Sequence, residues 1–272
     1  MFITGTGRNG STLLSCILNN HSGVLILPEN TLIPFLIKNF VLQPNHSWER
    51  RITSILFEIK RNDKLQVDIE VFEKNLKNLN PVQQNTNGVM GLIYEIYAER
   101  YGKKRFFRGD KTPENNKFIQ MIKHRLPNSK LVFLIRDPRD MIYSMLKLIP
   151  GYDTNFVNYC IMNWRSSLDK YEWLKNKYPD AVFLVKYEQL VQQPDFVICE
   201  LINWLNLPLE ASILESYNKN LNILNVQHAT HHLNINNAIN TNSIGQGLEL
   251  EKGVLNRIES QLLTKMRKYG YC

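Results

Sequence analysis

Near its start the chain reads Gly5-Thr6-Gly7-Arg8-Asn9-Gly10-Ser11-Thr12, set between a short apolar stretch (Phe2, Ile3) and a helical pattern from Leu13. Glycines in a strand-to-helix turn let backbone N–H groups converge on one point, and the helix N-terminus favours an anion there. Arg8 puts a planar, permanently charged fork inside the turn, and the Ser11 and Thr12 hydroxyls are further donors. This is the equipment for gripping a phosphate-like oxyanion. The corresponding loop of nucleotide hydrolases reads G-x-x-x-x-G-K-[ST]. Gly5 and Gly10 keep that spacing, but Ser11 stands where the lysine would be. The loop is therefore expected to hold phosphate groups through Gly7, Arg8, Asn9, Gly10, Ser11 and Thr12 without acting as an ordinary ATP or GTP site.

A second cluster sits mid-chain. The apolar run Lys130 to Ile135 reads as a buried parallel strand and delivers Arg136. Ser144 follows eight positions later (144 − 136), about two turns into the next helix. Arg136 either forks onto a phosphate or ties down its own loop through Asp137 or Asp140. Other unusual polar groups also follow strand-like runs: Glu29, Asp110-Lys111 and Lys186-Tyr187.

These groups need a frame. Short strand-like stretches at Phe2-Ile3, Val24–Leu27, Arg105–Gly109, Lys130–Ile135 and Ala181–Val185 alternate with helical patterns. That alternation implies an α/β fold, a three-layer parallel sheet flanked by helices, with ligands at the carboxyl ends of the strands. Residues of about 30–105 are mostly helical in pattern, broken by a polar loop at Gln83–Gly88. They form a helical insertion expected to act as an acceptor-binding lid within one domain spanning 1–272. Helices are also expected at about 155–177, 194–205 and 249–268, with an Asn-rich loop at 218–246.

Composition sets limits. The 272 residues are 43% hydrophobic, enough for one sizeable core. The net charge of +8 suits anionic ligands without choosing among them. Basic residues are spread along the chain, with Lys103-Lys104-Arg105 the one short run, which argues against a nucleic-acid interface. No apolar run approaches the roughly 18 residues of a membrane span. Cys16, Cys160, Cys199 and Cys272 lack ligand or disulfide spacing, so the expected setting is reducing and cytoplasmic. No metal site is expected; His228, His231 and His232 share the Asn-rich loop without an acidic or Cys partner near in sequence.

Taken together, Gly-x-x-Arg-x-Gly-Ser-Thr-Leu-Leu near the start and Ile-Arg-Asp-Pro-Arg-Asp-x-x-x-Ser downstream resemble the sulfotransferases that use 3′-phosphoadenosine 5′-phosphosulfate (PAPS). The resemblance implies the P-loop-type version of the three-layer fold. It implies that the first loop holds the 5′-phosphosulfate and that Arg136 and Ser144 hold the 3′-phosphate. The product would be adenosine 3′,5′-bisphosphate. The segment Val185–Leu190 resembles the family's Tyr-Glu-[Asp/Gln]-Leu stretch and brings in Tyr187. Asn242-Ser243-Ile244-Gly245 resembles its cofactor-closing loop and brings in Ser243. Residues 30–105 stay outside the resemblance and are expected to carry acceptor specificity.

The family's branches differ in catalytic base. The cytosolic small-molecule branch places a His two residues after a Lys; here Lys111-Thr112-Pro113 puts Pro at that position. His21 reads as a helix-end residue and His124 lies on a Lys/Arg-rich helix face. The protein-tyrosine branch uses a Glu, and counting from Arg8 without gaps places Glu29, in Leu27-Pro28-Glu29-Asn30-Thr31, on that Glu. Read from its own surroundings, Glu29 is equally an acid favoured near a helix N-terminus. The resemblance assigns Glu29 as base, with Asp110 and Glu114 in reserve, and Arg8 and Lys111 to the leaving group's charge. The acceptor would be a hydroxyl on a peptide, glycan, lipid or small metabolite. A P-loop small-molecule kinase and a non-catalytic basic binder of acidic polymers are the alternatives; Ser11 argues against the first and the scattered charge against the second.

Overall fold

The computed structural model describes residues 1–104, 106–149, 151–211, 213 and 239–272. Five strands, β1 (Phe2–Gly5), β2 (Val24–Leu27), β3 (Phe107–Asp110), β4 (Leu131–Ile135) and β5 (Val182–Lys186), form one sheet in the order β2-β3-β1-β4-β5. The pairs β1–β3, β2–β3 and β4–β5 run parallel. The chain moves to one side of β1 for β2 and β3, then to the other for β4 and β5. That makes the β1/β4 neighbourhood the topological switch point where α/β sheets bind ligands. Two compact units are distinguished. The first contains Met1–Phe2 and Ser15–Ser129; the second contains Ile3–Leu14, Lys130–Leu209 and the stretch 239–272.

In the first unit β2 is fully buried, as an apolar Val-Leu-Ile-Leu run in a covered parallel sheet should be. The insertion forms α2 (Leu32–Leu42), α3 (Trp48–Arg61), α4 (Ile69–Lys77) and α5 (Thr86–Arg100). On α3 the buried residues Ile52, Ile55 and Ile59 lie at helical spacing. Ser47, Asp68 and Asn85 cap α3, α4 and α5 with side-chain oxygens that accept from backbone N–H groups. The expected polar loop at 83–88 is therefore shorter. Asn85 starts α5 inside it, and Gly88 sits where a Cβ would strike the Gln83 carbonyl oxygen. The helix α6 (Asn115–Arg125) follows β3.

In the second unit α1 (Ser11–Asn19) begins; its later residues belong to the first unit. Here β4 is fully buried and pairs with β5 from Leu131↔Val182 to Ile135↔Lys186. On β5 only Val182 and Val185 are buried. Asp137 caps the helix α7 (Pro138–Leu146) by accepting from Arg139 N, and Pro138 takes the first turn, where no N–H is needed. Next come α8 (Thr154–Lys177), α9 (Tyr187–Gln192), α10 (Pro194–Leu205) and α11 (Lys252–Tyr269). The short α9 went unrecognised because six residues carry too little periodicity. Residues 246–249 form a 3₁₀ turn. Residues 218–238 of the Asn-rich stretch, with His228, His231 and His232, lie outside the described residues. Among the described residues no helix is long and apolar enough to cross a membrane.

Candidate active site

The Gly-rich loop leaves the carboxyl end of β1 in the second unit. Gly7 (φ +74°), Arg8 (φ +50°) and Gly10 (φ +82°) all take left-handed backbone, rare for a residue such as Arg8 and suited to turning N–H groups towards one point. Two close approaches explain the glycines at its ends. A Cβ on Gly5 would lie 2.2 Å from the Leu134 carbonyl oxygen of β4, and one on Gly10 would lie 2.6 Å from the Tyr187 ring. The Asn9 side chain is committed to shaping the loop: Nδ2 donates to the Leu134 carbonyl (3.0 Å) and Oδ1 accepts from Ser11 N (3.3 Å). Its share in anion binding would come through the backbone. Ser11 and Thr12 open α1, whose first-turn N–H groups lack intrahelical acceptors.

The second cluster meets the first. Arg8 Nε donates to Ser144 Oγ (3.0 Å). Arg136 donates from Nη1 to the Arg8 carbonyl (3.1 Å) and from Nη2 to the Ser243 carbonyl (2.5 Å), with its guanidinium 4.4 Å from the centre of the Tyr187 ring. The Trp164 indole donates to the Arg136 carbonyl (2.9 Å), fixing the end of β4. Arg8, Ser144, Arg136, Tyr187 and Ser243 are thus brought together, and Ser243 takes part through its carbonyl. Arg136 is only 6% exposed, and its buried Nε has no hydrogen-bond partner among the described residues. Asp137 pairs instead with Arg139 (2.7 Å), and Asp140 accepts from Gly245 N (2.9 Å) and Gly247 N (2.6 Å). A buried cation held by carbonyls and a ring, with no carboxylate among those contacts, is poised for an anion.

The remaining site residues belong to the first unit. Lys111, 1% exposed, donates to Glu29 Oε1 at 2.5 Å, while Glu29, with a side chain 28% exposed, also lies 3.6 Å from Lys64 Nζ through Oε2. Asp110 is buried, and burial pushes its carboxyl up to about 6 against the opposing effect of hydrogen bonds from Thr112, Asn30 and Asn115 and the charge of Lys111. It is a structural neighbour of the pair rather than an open base. Glu114 is exposed at the entry to α6. His21 closes the turn after α1, accepting from Gly23 N (2.8 Å).

Comparison with known proteins bears on this arrangement. The sequence profile of the sulfotransferase family matches residues 1–211. The chain belongs to the sulfotransferase family. It is 24% identical over 217 residues to protein-tyrosine sulfotransferase 1 of Danio rerio, covering 79% of this chain and 55% of that one; it thus spans about half that relative's length. A sulfotransferase domain from the curacin biosynthetic pathway has a similar fold, with a TM-score of 0.63, 23% identity and 96% of each chain covered. So does a mouse sulfotransferase solved in complex with PAP, with a TM-score of 0.54, 15% identity and coverage of 98% of this chain and 84% of that one. The P-loop-type parallel fold is the family's.

The residues present fit the family's sulfuryl donor. Its two anionic ends require separate grips, and this chain has a Gly-rich loop with Arg8 and a buried Arg136 with an unsatisfied Nε. Two supporting contacts escaped the sequence reading, which weighed Asp140 only as a tie for Arg136. Asp140 fastens the 242–247 segment over α7, and Gly247 is needed there because a Cβ would lie 2.2 Å from the Arg139 backbone. The second is Asn30, whose contacts are taken up below. An isolated Asp or Asn carries no signal in one sequence; only the partners reveal the role. Among the described residues no group of three or more His, Cys, Asp or Glu side chains is arranged to hold a metal ion.

Proposed function

We propose that this sulfotransferase-family chain moves the sulfuryl group of PAPS to a hydroxyl acceptor, with Glu29 as general base. The buried Arg136 guanidinium, held by carbonyls and a ring instead of a carboxylate and with its Nε lacking a partner among the described residues, carries the reading: it is costly to keep unless an anion completes it. In-line sulfuryl transfer, like phosphoryl transfer, depends on positioning and on stabilising charge on the leaving oxygen. The bound donor supplies the sulfuryl group and the leaving bisphosphate. The chain supplies the rest. Gly7, Gly10, Ser11 and Thr12 with Arg8 hold the 5′-end; Arg136, Ser144 and the Tyr187–Ser243 surroundings hold the 3′-phosphate.

Glu29 takes the acceptor's proton. Protonating Glu29 neutralises the carboxylate that Lys111 is paired with. The ammonium charge then has less to balance it as negative charge builds on the leaving group. A sulfuryl group carries less charge than a terminal phosphoryl group, and Arg8 and Lys111 do the work a metal would do, so turnover should survive a chelator. Four free cysteines support a reducing, cytoplasmic setting, checked by cell fractionation. For the acceptor, the relatives' name favours a peptide tyrosine over a glycan, lipid or small metabolite.

Thermal denaturation with adenosine 3′,5′-bisphosphate against Mg²⁺-ATP tests the donor site. At 100 times Kd the bisphosphate should stabilise by about 2.7 kcal/mol and ATP by much less. Mg²⁺-dependent ATP turnover would favour the kinase instead. An acceptor panel with labelled PAPS, and Glu29→Gln beside Glu114→Gln, then tests the base. The first should lose turnover and keep bisphosphate affinity; the reverse pattern moves the base to Glu114.

A further inference from the structure

The β2–β3 ladder ends at Leu27↔Asp110. Glu29 and Lys111 lie just beyond that last pair, where no strand pairing holds them, yet their side chains meet at 2.5 Å. Their neighbours explain how. Asn30 N donates to Thr112 Oγ1 (3.1 Å); Asn30 Nδ2 donates to Asp110 Oδ2 (3.0 Å) and to the Pro28 carbonyl (2.9 Å); Asn30 Oδ1 accepts from Leu32 N (3.1 Å). The other Asp110 oxygen, Oδ1, accepts from Asn115 Nδ2 at the start of α6. Asn30, Asp110, Thr112 and Asn115 are all buried. Asn30, next to Glu29, is thereby fastened to residues on both sides of Lys111 (Asp110 and Thr112) and also holds the Pro28 carbonyl on the other side of Glu29. A buried, hydrogen-bonded polar network of this kind fixes geometry that a chain end past a sheet would not keep.

We propose that Asn30, Asp110 and Thr112 form a positioning clamp that sets the Glu29 carboxylate against Lys111 for proton transfer. The clamp touches neither donor nor acceptor and acts only through the pair; it rests on Glu29 being the base. It replaces the missing ladder pairs with side-chain hydrogen bonds, so one bond removed should let Glu29 shift while the strands stay paired. Displacement by about 1 Å near a reacting group can cost up to 10²-fold in rate.

Thr112→Val keeps the volume and removes the oxygen that holds Asn30 N. It should lower kcat about tenfold or more, leave bisphosphate affinity within about twofold, and be rescued by Thr112→Ser. In a Glu29→Gln background the same change should cost nothing further, because a clamp has no effect once its carboxylate is gone; a merely structural defect would multiply. Asn30→Ala should follow the same pattern, and Thr112→Val carries the test if Asn30→Ala does not fold. Full kcat in Thr112→Val while Glu29→Gln is inactive overturns the clamp and leaves the base intact. Full kcat in Glu29→Gln overturns the base and the clamp with it. Equal losses in both backgrounds overturn the clamp in favour of a general folding role.

Discussion

The loop-and-arginine cradle of the second unit and the Glu29–Lys111 corner of the first handle a buried positive charge in opposite ways. In the cradle, Arg136 is held by two carbonyls and the Tyr187 face, while nearby carboxylates are used elsewhere: Asp137 on Arg139, Asp140 on the backbone of the 242–247 segment. No carboxylate is among those contacts, as the proposed donor site requires. In the corner, Lys111 is as deeply buried but paired with Glu29, so its charge is masked until that carboxylate is protonated. On the proposed reading, a site that grips an anion keeps carboxylates away from its cation, whereas one that needs charge only during reaction pairs them.

That contrast can be broken experimentally. Arg8→Ala and Lys111→Met should each lose about 2–4 kcal/mol of transition-state stabilisation, but only Arg8→Ala should also weaken bisphosphate binding. Titration calorimetry beside steady-state kinetics separates them, and equal affinity losses would erase the distinction. A smaller effect concerns Asp110, whose carboxyl burial raises from an ordinary 3.8 to about 6. The native state then binds more protons than the unfolded state between roughly pH 4 and 6, so stability falls as pH rises through that window, by about 3 kcal/mol. Urea unfolding of the wild type should show this slope, and Asp110→Asn should lack it; matching slopes would mean that the corner does not bury a charge.

Gly10→Ala comes next. A left-handed φ and a Cβ at 2.6 Å from the Tyr187 ring should cost about 1–3 kcal/mol, seen as weaker bisphosphate binding with any bound fraction turning over normally. The smallest effect is a control: Asp68→Ala removes the α4 cap and should cost about 1 kcal/mol of stability while leaving bisphosphate affinity and kcat unchanged. Altered kinetics there would show that the insertion does more than frame the corner.

Much of this was legible in the residues. The apolar runs that became β2 and β4, the glycine spacing of the first loop and the Arg136–Ser144 interval are local patterns, set by strand burial, backbone freedom and helix period. Boundaries set by caps were less visible, since Asn85 and Asp137 declare themselves only once their oxygens are seen accepting from the helix they start. The Arg8–Ser144 bond, the carbonyls around Arg136 and the Asn30–Asp110–Thr112 clamp were not visible at all.

What the sequence by itself determined is the kit: a Gly-rich strand-to-helix loop without the usual lysine, a strand-end arginine, and an acid and a lysine beyond two strands. What only the tertiary structure decided is which charge meets which. Hydrogen bonds and ion pairs act over a few ångströms and join residues 82 to 136 positions apart here. Asp137 could have neutralised Arg136 from the next position, yet the fold turned it to Arg139 and left Arg136 to carbonyls and the Tyr187 ring.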